Sequence, residues 1–374
     1  MSSLDCPIVS VNVRIWRFWS FFYKHDAMRY LGIIPITVMN VFMLFDLCRS
    51  WNNYDNMIIN AYFVVLWFDA VLRGLVLIFN RGKFEHFLER IAVEYKKIET
   101  TDDYFIRWTV SNFTRQARML SFGNLCLGGI ICTCFAVYPL FAGGRKLLYG
   151  VYIPTINEFD SPQYEILYVI QVLLLFPGSC MYIPFPSFFS SITLFGLIQI
   201  KTLQYQLTTL GDTSKGKDAR NLNLIVNNLI EDHLHIINYV QDVNLLFSNI
   251  CLAEFLMSGI LMSALLFFLS ICENRAQIVI IMVYILMIIT QSFVFYWQAN
   301  EVREESMGIA KAAYSAPWIE MDVSVKKKLL LIVLRAQRPL EIKLGNVYPM
   351  TLELFQSLMN ASYSYFTLLK RVQN

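Results

Sequence analysis

Apolar residues gather along this chain into runs too long for the core of a water-soluble domain, with short polar stretches between them. An α-helix needs about 20 predominantly apolar residues to cross the hydrocarbon of a bilayer. On that criterion the pattern predicts seven crossings, near residues 31–49, 57–79, 119–141, 165–200, 251–272, 278–298 and 347–369. The fourth run is too long for one straight span and contains Pro177, Pro184 and Pro186. Each proline forfeits a backbone hydrogen bond and disfavours helix just before it. A broken outer part is therefore expected, with a regular helix from about Phe188 that runs on into the polar "KTLQYQL". The seventh run is interrupted by Glu353, Ser357, Asn360, Ser364, Thr367 and Arg371, at spacings of 4, 3, 4, 3 and 4. That is helical period, so these polar groups share one face.

The stretch between the last two runs is charged and yet reads as helical, first in "NEVREESMGIAKAAYSAPWI" and then in "VSVKKKLLLIVLRAQRPLEI". In the second piece Leu329, Ile332, Val333 and Ala336 line one face and the lysines another. A plain connector has no use for an apolar stripe. With the extension of the fourth run and the helical-looking 222–250, it predicts packed cytoplasmic helices that dock spans or subunits against one another.

Composition strengthens this picture: 56% hydrophobic residues and 16% charged residues over 374 positions place the chain among integral membrane proteins. The first apolar residues, Val9 to Val13, are few and are followed by Arg14, Arg17, Lys24 and Arg29, so no cleavable leader is expected. Charge then sets the orientation. Segments 1–30, 80–118, 201–250 and 299–345 hold 24 of the 31 basic residues, whereas the alternate connections hold only Arg49, Arg145, Lys146 and Arg275. The positive-inside rule places the amino terminus in the cytosol and, after seven crossings, the carboxyl terminus outside. The expected fold is thus an all-α integral membrane protein. Its parts are a cytosolic segment 1–30, six spans within 31–298, cytoplasmic anchor helices within 299–345, and a seventh helix with a short extracellular tail within 346–374.

Enzyme chemistry finds little support. The eight cysteines form no CxxC pair, and His25, His86, His233 and His235 have neither metal-ligand spacing nor an evident nucleophile beside them. There is no Gly-rich phosphate loop, so no cofactor, metal or nucleic-acid partner is expected. The sequons at Asn112 and Asn360 fall on the cytosolic side and in the last span, where neither should carry sugar. Ionisable residues inside spans are expensive and are functional candidates by default. Asp69 and Arg73 lie four apart in the second span and can neutralise each other, with a partner on another helix or an ion path as the alternatives. Glu254 and Asp46, near span ends, read as interfacial.

The outer halves of spans two, three, four and six carry Phe63, Trp67, Phe135, Tyr138, Phe176, Met181, Tyr182, Tyr284 and Met287. Such residues pack well between helices. Capped by the apolar second outer loop "GVYIPTINEF", they could equally wall a pocket for a small, uncharged, volatile-sized ligand. Ala70, next to Trp67 on the same helix face, and Ile131 complete the candidate set.

At the carboxyl end, "FYWQANEV" (295–302), "AAYSAPW" (312–318), "LLLIVLRAQRPLEIKLGNVYPMTLELF" (329–355) and "ASYSYFTLL" (361–369) resemble the signature of insect odorant receptors. "CPIVSVNVRIWRFWS" at the start and "FPGSCMYIPF" at 176–185 resemble the mosquito branch associated with indole and related small aromatics. The resemblance implies a subunit that assembles with the odorant receptor co-receptor into a heterotetrameric, odorant-gated, non-selective cation channel in the plasma membrane of an olfactory sensory neuron dendrite. It also implies that the last span lines the pore, with Asn360 and Ser364 on the wet face and Leu368 and Val372 at an outer constriction. Two rivals remain: a seven-helix G-protein-coupled receptor, which would have its amino terminus outside, and a transporter, which would be expected to show internal repeats or paired broken helices.

Overall fold

The computed structural model describes residues 6–18, 26–50, 54–141, 145–154, 157–211, 219–271 and 275–373. Eleven α-helices account for most of them: α1 (Ser10–Phe18), α2 (Asp26–Arg49), α3 (Tyr54–Phe79), α4 (Arg81–Glu99), α5 (Tyr104–Phe141), α6 (Gln163–Tyr182), α7 (Pro184–Thr208), α8 (Ala219–Ile271), α9 (Arg275–Ser315), α10 (Val323–Ala336) and α11 (Leu352–Gln373). By length and composition, α3, α5, the α6–α7 run, α8 and α9 are apolar enough to cross a membrane. The two other expected spans coincide with α2, which packs on α3, and α11, which packs on α8 and α9.

Helix α7 is the central post, with α9 and α5 laid along it. Every residue from Ser187 to Ile200 is buried, as a helix apolar all round requires. Two of its hydroxyls are absorbed locally: Ser191 donates to the Ser187 carbonyl at 2.7 Å and Thr193 to that of Phe189 at 2.9 Å. The short α1 seals one side, where Trp16 meets Phe188 edge-on at 4.7 Å and Asn12 bridges Ser121 and Ser187 at 3.1 Å each.

The fourth run departs from the sequence expectation. Pro177 sits within a regular α6, and the interruption is confined to Ile183, whose φ of −64° and ψ of −43° are still helical. Helix α7 begins at Pro184 rather than near Phe188, because proline at a first helical position loses no hydrogen bond the helix would have made. The cost falls on a carbonyl. Pro186 has no N–H for the Tyr182 carbonyl one turn earlier, and that oxygen instead accepts from Arg73 at 2.9 Å.

Helices α8 and α9 are single rods of 53 and 41 residues. The expected divisions at 250 and 298 are therefore not breaks in the chain, and each helix carries an apolar part straight into a polar one. In the polar half, α10 buries Val325, Leu329, Ile332 and Ala336 while leaving Leu330, Leu331 and Leu334 exposed on another face. A small antiparallel hairpin, β1 (Lys343–Leu344) with β2 (Tyr348–Pro349), turns the chain into α11. Gly345 and Asn346 adopt φ of 54° and 60° there, the left-handed region that glycine and asparagine tolerate best.

Candidate functional site

In the half of the molecule away from α10, helices α3, α5, α6, α8 and α9 diverge around a cavity of about 140 Å³. Helix α3 contributes Tyr62, Phe63, Leu66, Trp67, Asp69 and Ala70, and α5 contributes Gly128, Ile131, Cys132 and Phe135. Leu175, Gly178, Ser179 and Tyr182 come from α6, while Met287, Ile288, Gln291 and Ser292 come from α9. Helix α8 adds Glu254, Met257, Ser258 and Leu261. The wall is an aromatic array: Phe63 meets Phe135 edge-on at 5.2 Å, and Tyr284 stacks on Tyr62 at 4.0 Å. Such pairs hold their rings in defined orientations beyond what burial alone achieves.

Small residues make room for the rings. At Gly178 a Cβ would stand 3.4 Å from the Trp67 ring, so α6 and the indole lie in direct contact. Behind this wall lies the segment 145–154. Gln171, completely buried on α6, accepts from the Leu148 N–H and donates to the Tyr149 carbonyl, both at 2.9 Å. Asn60 accepts from the Gly150 N–H at 2.8 Å and donates to Asp46. A Cβ at Gly150 would meet the ends of the Asp46 and Asn60 side chains, so a larger residue there would displace them. Pinned in this way, Tyr149 lies buried with its ring 5.5 Å from Phe63 and 5.4 Å from Trp67.

The floor is ionic. Arg73 is fully buried, pairs with Asp69 at 2.7 Å, pairs again with Glu254 across the α3–α8 interface, and lies over the Tyr182 ring at 4.2 Å. Two of the three options for Asp69 and Arg73 therefore occur together, an internal pair and a partner on another helix. Glu254 is corrected from an interfacial residue to a member of this buried cluster. Asp46 keeps its place near a helix end, tied to Asn60.

Of the candidate ligand contacts, Phe63, Trp67, Ala70, Ile131, Phe135, Tyr182 and Met287 line the cavity. Three do not. Phe176 points away from it and is 46% exposed, Met181 is buried against Gly74 with its sulfur 3.2 Å from where a Cβ would stand, and Tyr284 forms the layer behind Tyr62. The Tyr138 side chain lies outside the described residues. The contribution of α8 was not foreseen, because none of its lining residues is aromatic. Four-residue periodicity from Glu254 through Ser258 was the one available signal.

The cavity is one residue from the last helix. Ser258 lines it, and the next residue, Gly259, accepts from Ser362 of α11 at 3.5 Å and leaves 3.1 Å between the site of a Cβ and Leu358. On the opposite face of α11, Glu353, Ser357, Asn360 and Ser364 are exposed, and so is Leu368. The Val372 side chain lies outside the described residues. Among the described residues no cluster of metal-binding side chains occurs.

A helical membrane protein with an aromatic cavity between its helices has the architecture of a small-molecule receptor. Residues 53–363 match the family model described as "7tm Odorant receptor". The chain is 60% identical over 373 residues to odorant receptor 10 of Aedes albopictus, covering 100% of each. It is 49% identical to odorant receptor Or2 of Anopheles gambiae, covering 99% of each, and 36% identical to odorant receptor 30a of Drosophila melanogaster, covering 100% of this chain and 98% of that one. Its fold is similar to that of the insect olfactory receptor OR5 from Machilis hrabei in complex with eugenol, with a TM-score of 0.82 at 16% identity, covering 98% of this chain and 97% of that one. The chain belongs to the insect odorant receptors.

Proposed function

We propose that this receptor is the odorant-binding subunit of a heterotetrameric, odorant-gated, non-selective cation channel formed with the odorant receptor co-receptor, and that it is tuned to small aromatic volatiles of the indole and phenol kind. The observation that carries this reading is the aromatic cavity set one residue from the α8–α11 seam. A ligand that packs better against one arrangement of α8 than another shifts the equilibrium of whatever α11 does by that difference in affinity. The polar stripe of α11 looks away from the rest of the subunit, which suits a face toward a water-filled pore with Asn360 and Ser364 on its wall and Leu368 with Val372 at its constriction. The exposed Leu330, Leu331 and Leu334 of α10 suit an anchor between subunits.

In this reading seven helices cross the plasma membrane of an olfactory neuron dendrite, with the amino terminus in the cytosol. The deciding experiment is the current evoked by indole and by phenols in cells expressing the receptor with and without the co-receptor. Current only with both subunits is expected, and current from the receptor alone would overturn the assembly. Antibody access to terminal tags tests the orientation. An amino-terminal tag should be reached only after permeabilisation and a carboxyl-terminal tag without it; the reverse would favour a G-protein-coupled arrangement.

A further inference from the structure

The geometry points to Asp69 as a polar anchor in the floor of the cavity, selecting aromatic ligands that carry an N–H or O–H donor. This rests on the small-aromatic reading above and adds the group that would discriminate within that class. Asp69 is 5% exposed and lines the cavity. One carboxylate oxygen, Oδ2, is held by Arg73 at 2.7 Å, whereas the other, Oδ1, is buried without a hydrogen-bond partner. An unsatisfied carboxylate oxygen in an apolar site is costly, and a native structure that keeps one invites a donor from elsewhere.

Charge counting singles out the same residue. Two carboxylates, Asp69 and Glu254, face one guanidinium, and Arg73 is already neutralised by Glu254 and engaged by the Tyr182 carbonyl. The cluster therefore carries one negative charge in excess, and Asp69 is the more buried of its two carboxylates. Nearby hydroxyls do not meet the need: Ser179 donates to the Leu175 carbonyl at 2.6 Å, and Ser258 donates to the carbonyl of Glu254 in its own helix. Oδ1 is covered by its neighbours, and a turn of the carboxylate would present it to an N–H or O–H at the edge of a flat ring lying among Trp67, Phe135 and Tyr182.

The test compares indole with indene, which has the same shape and a CH₂ in place of the N–H, and phenol with toluene, on the receptor expressed with the co-receptor. Hydrogen bonds to charged groups predict that each donor is favoured by about tenfold or more in half-maximal concentration. In Asp69→Leu, which leaves Arg73 and Glu254 as a balanced pair, the preference should shrink to about threefold or less. Equal potency of indole and indene on the unmodified receptor would overturn the anchor and leave the aromatic cavity standing. So would a preference that persists in an Asp69→Leu receptor at the cell surface. Silence toward all four compounds would overturn the aromatic reading itself, and the anchor with it. The unmodified receptor decides the matter even if the variant fails to reach the surface.

Discussion

The two halves of this receptor solve opposite packing problems with the same helices. Around α7, fourteen consecutive residues are buried and the neighbouring rings interlock, as where Phe189 meets Phe295 edge-on at 5.1 Å and Phe247 at 5.7 Å. Around the cavity, comparable aromatic residues stop short of closing, backed by a loop pinned to Gln171 and set on a floor braced by Arg73. Close packing resists change by a single methylene, whereas a braced gap can accept a guest. What separates the halves is thus less their composition than the polar residues that keep one of them open.

The strongest way to break this contrast is to remove the brace. Arg73→Met would leave the buried Asp69 and the half-buried Glu254 without their cation, a loss of about 3–5 kcal/mol by comparison with broken buried pairs. The expected result is loss of receptor from the cell surface, read by labelling an extracellular tag. Normal surface levels would mean that the cluster does not hold the cavity's floor in place.

A smaller change should separate filling the gap from breaking it. Ala70 is 1% exposed and lines the cavity, so Ala70→Leu places three further carbons inside it. Larger aromatics should lose about tenfold to a hundredfold in potency while the smallest keep theirs, following the worth of a methylene in a tight pocket. Trp67→Ala should weaken all aromatic ligands, measured per receptor at the cell surface because loss of so buried a ring also lowers stability. A uniform response to ligand size in Ala70→Leu would move the ligand elsewhere.

Helix α11 extends the comparison to the proposed pore. Leu368→Ser replaces an exposed apolar side chain at the expected constriction, and wetting it should raise the current without odorant by a few-fold, since a closed state favoured by a few kcal/mol is easily biased. Cysteines at 360, 364 and 368 should react with an aqueous thiol reagent and lower the current, and those at 358, 359 and 366 should not. Equal labelling around the helix would remove it from the pore wall.

Much of this was readable from the chain because membrane helices advertise themselves through long-range hydropathy, and α11 through a polar period that no lipid-facing helix would keep. The cavity was only half readable. Trp67 and Phe135 could be picked by residue type, but type does not give direction, so Phe176 and Tyr284 were grouped with them although one faces outward and the other supports Tyr62 from behind. Glu254 was misplaced because α8 continues through the expected span boundary without a break, so a residue near the end of the apolar run lies deep among other helices. The ionic floor depends on Pro186 freeing the Tyr182 carbonyl for Arg73, a contact 109 residues apart in sequence that no local pattern can express.

The smallest expected effect tests the close-packed half. His233, in the polar part of α8, is 4% exposed, and burial together with the nearby Arg335 pulls its pKa down to about 4 from an ordinary value near 6.5. The unfolded chain binds a proton at this site between those values and the folded chain does not, so stability must rise with pH across that window. The contribution is complete above about pH 6.5 and is lost progressively as the pH falls toward 4. Purified receptor should therefore melt at a lower temperature at pH 5.5 than at pH 7.5. In His233→Leu, which has no proton to bind, the drop should be smaller by about 2 °C. An unchanged drop would mean that His233 is reached by water in the folded protein, and that the half around α7 and α10 is less tightly closed than the cavity half it has been set against.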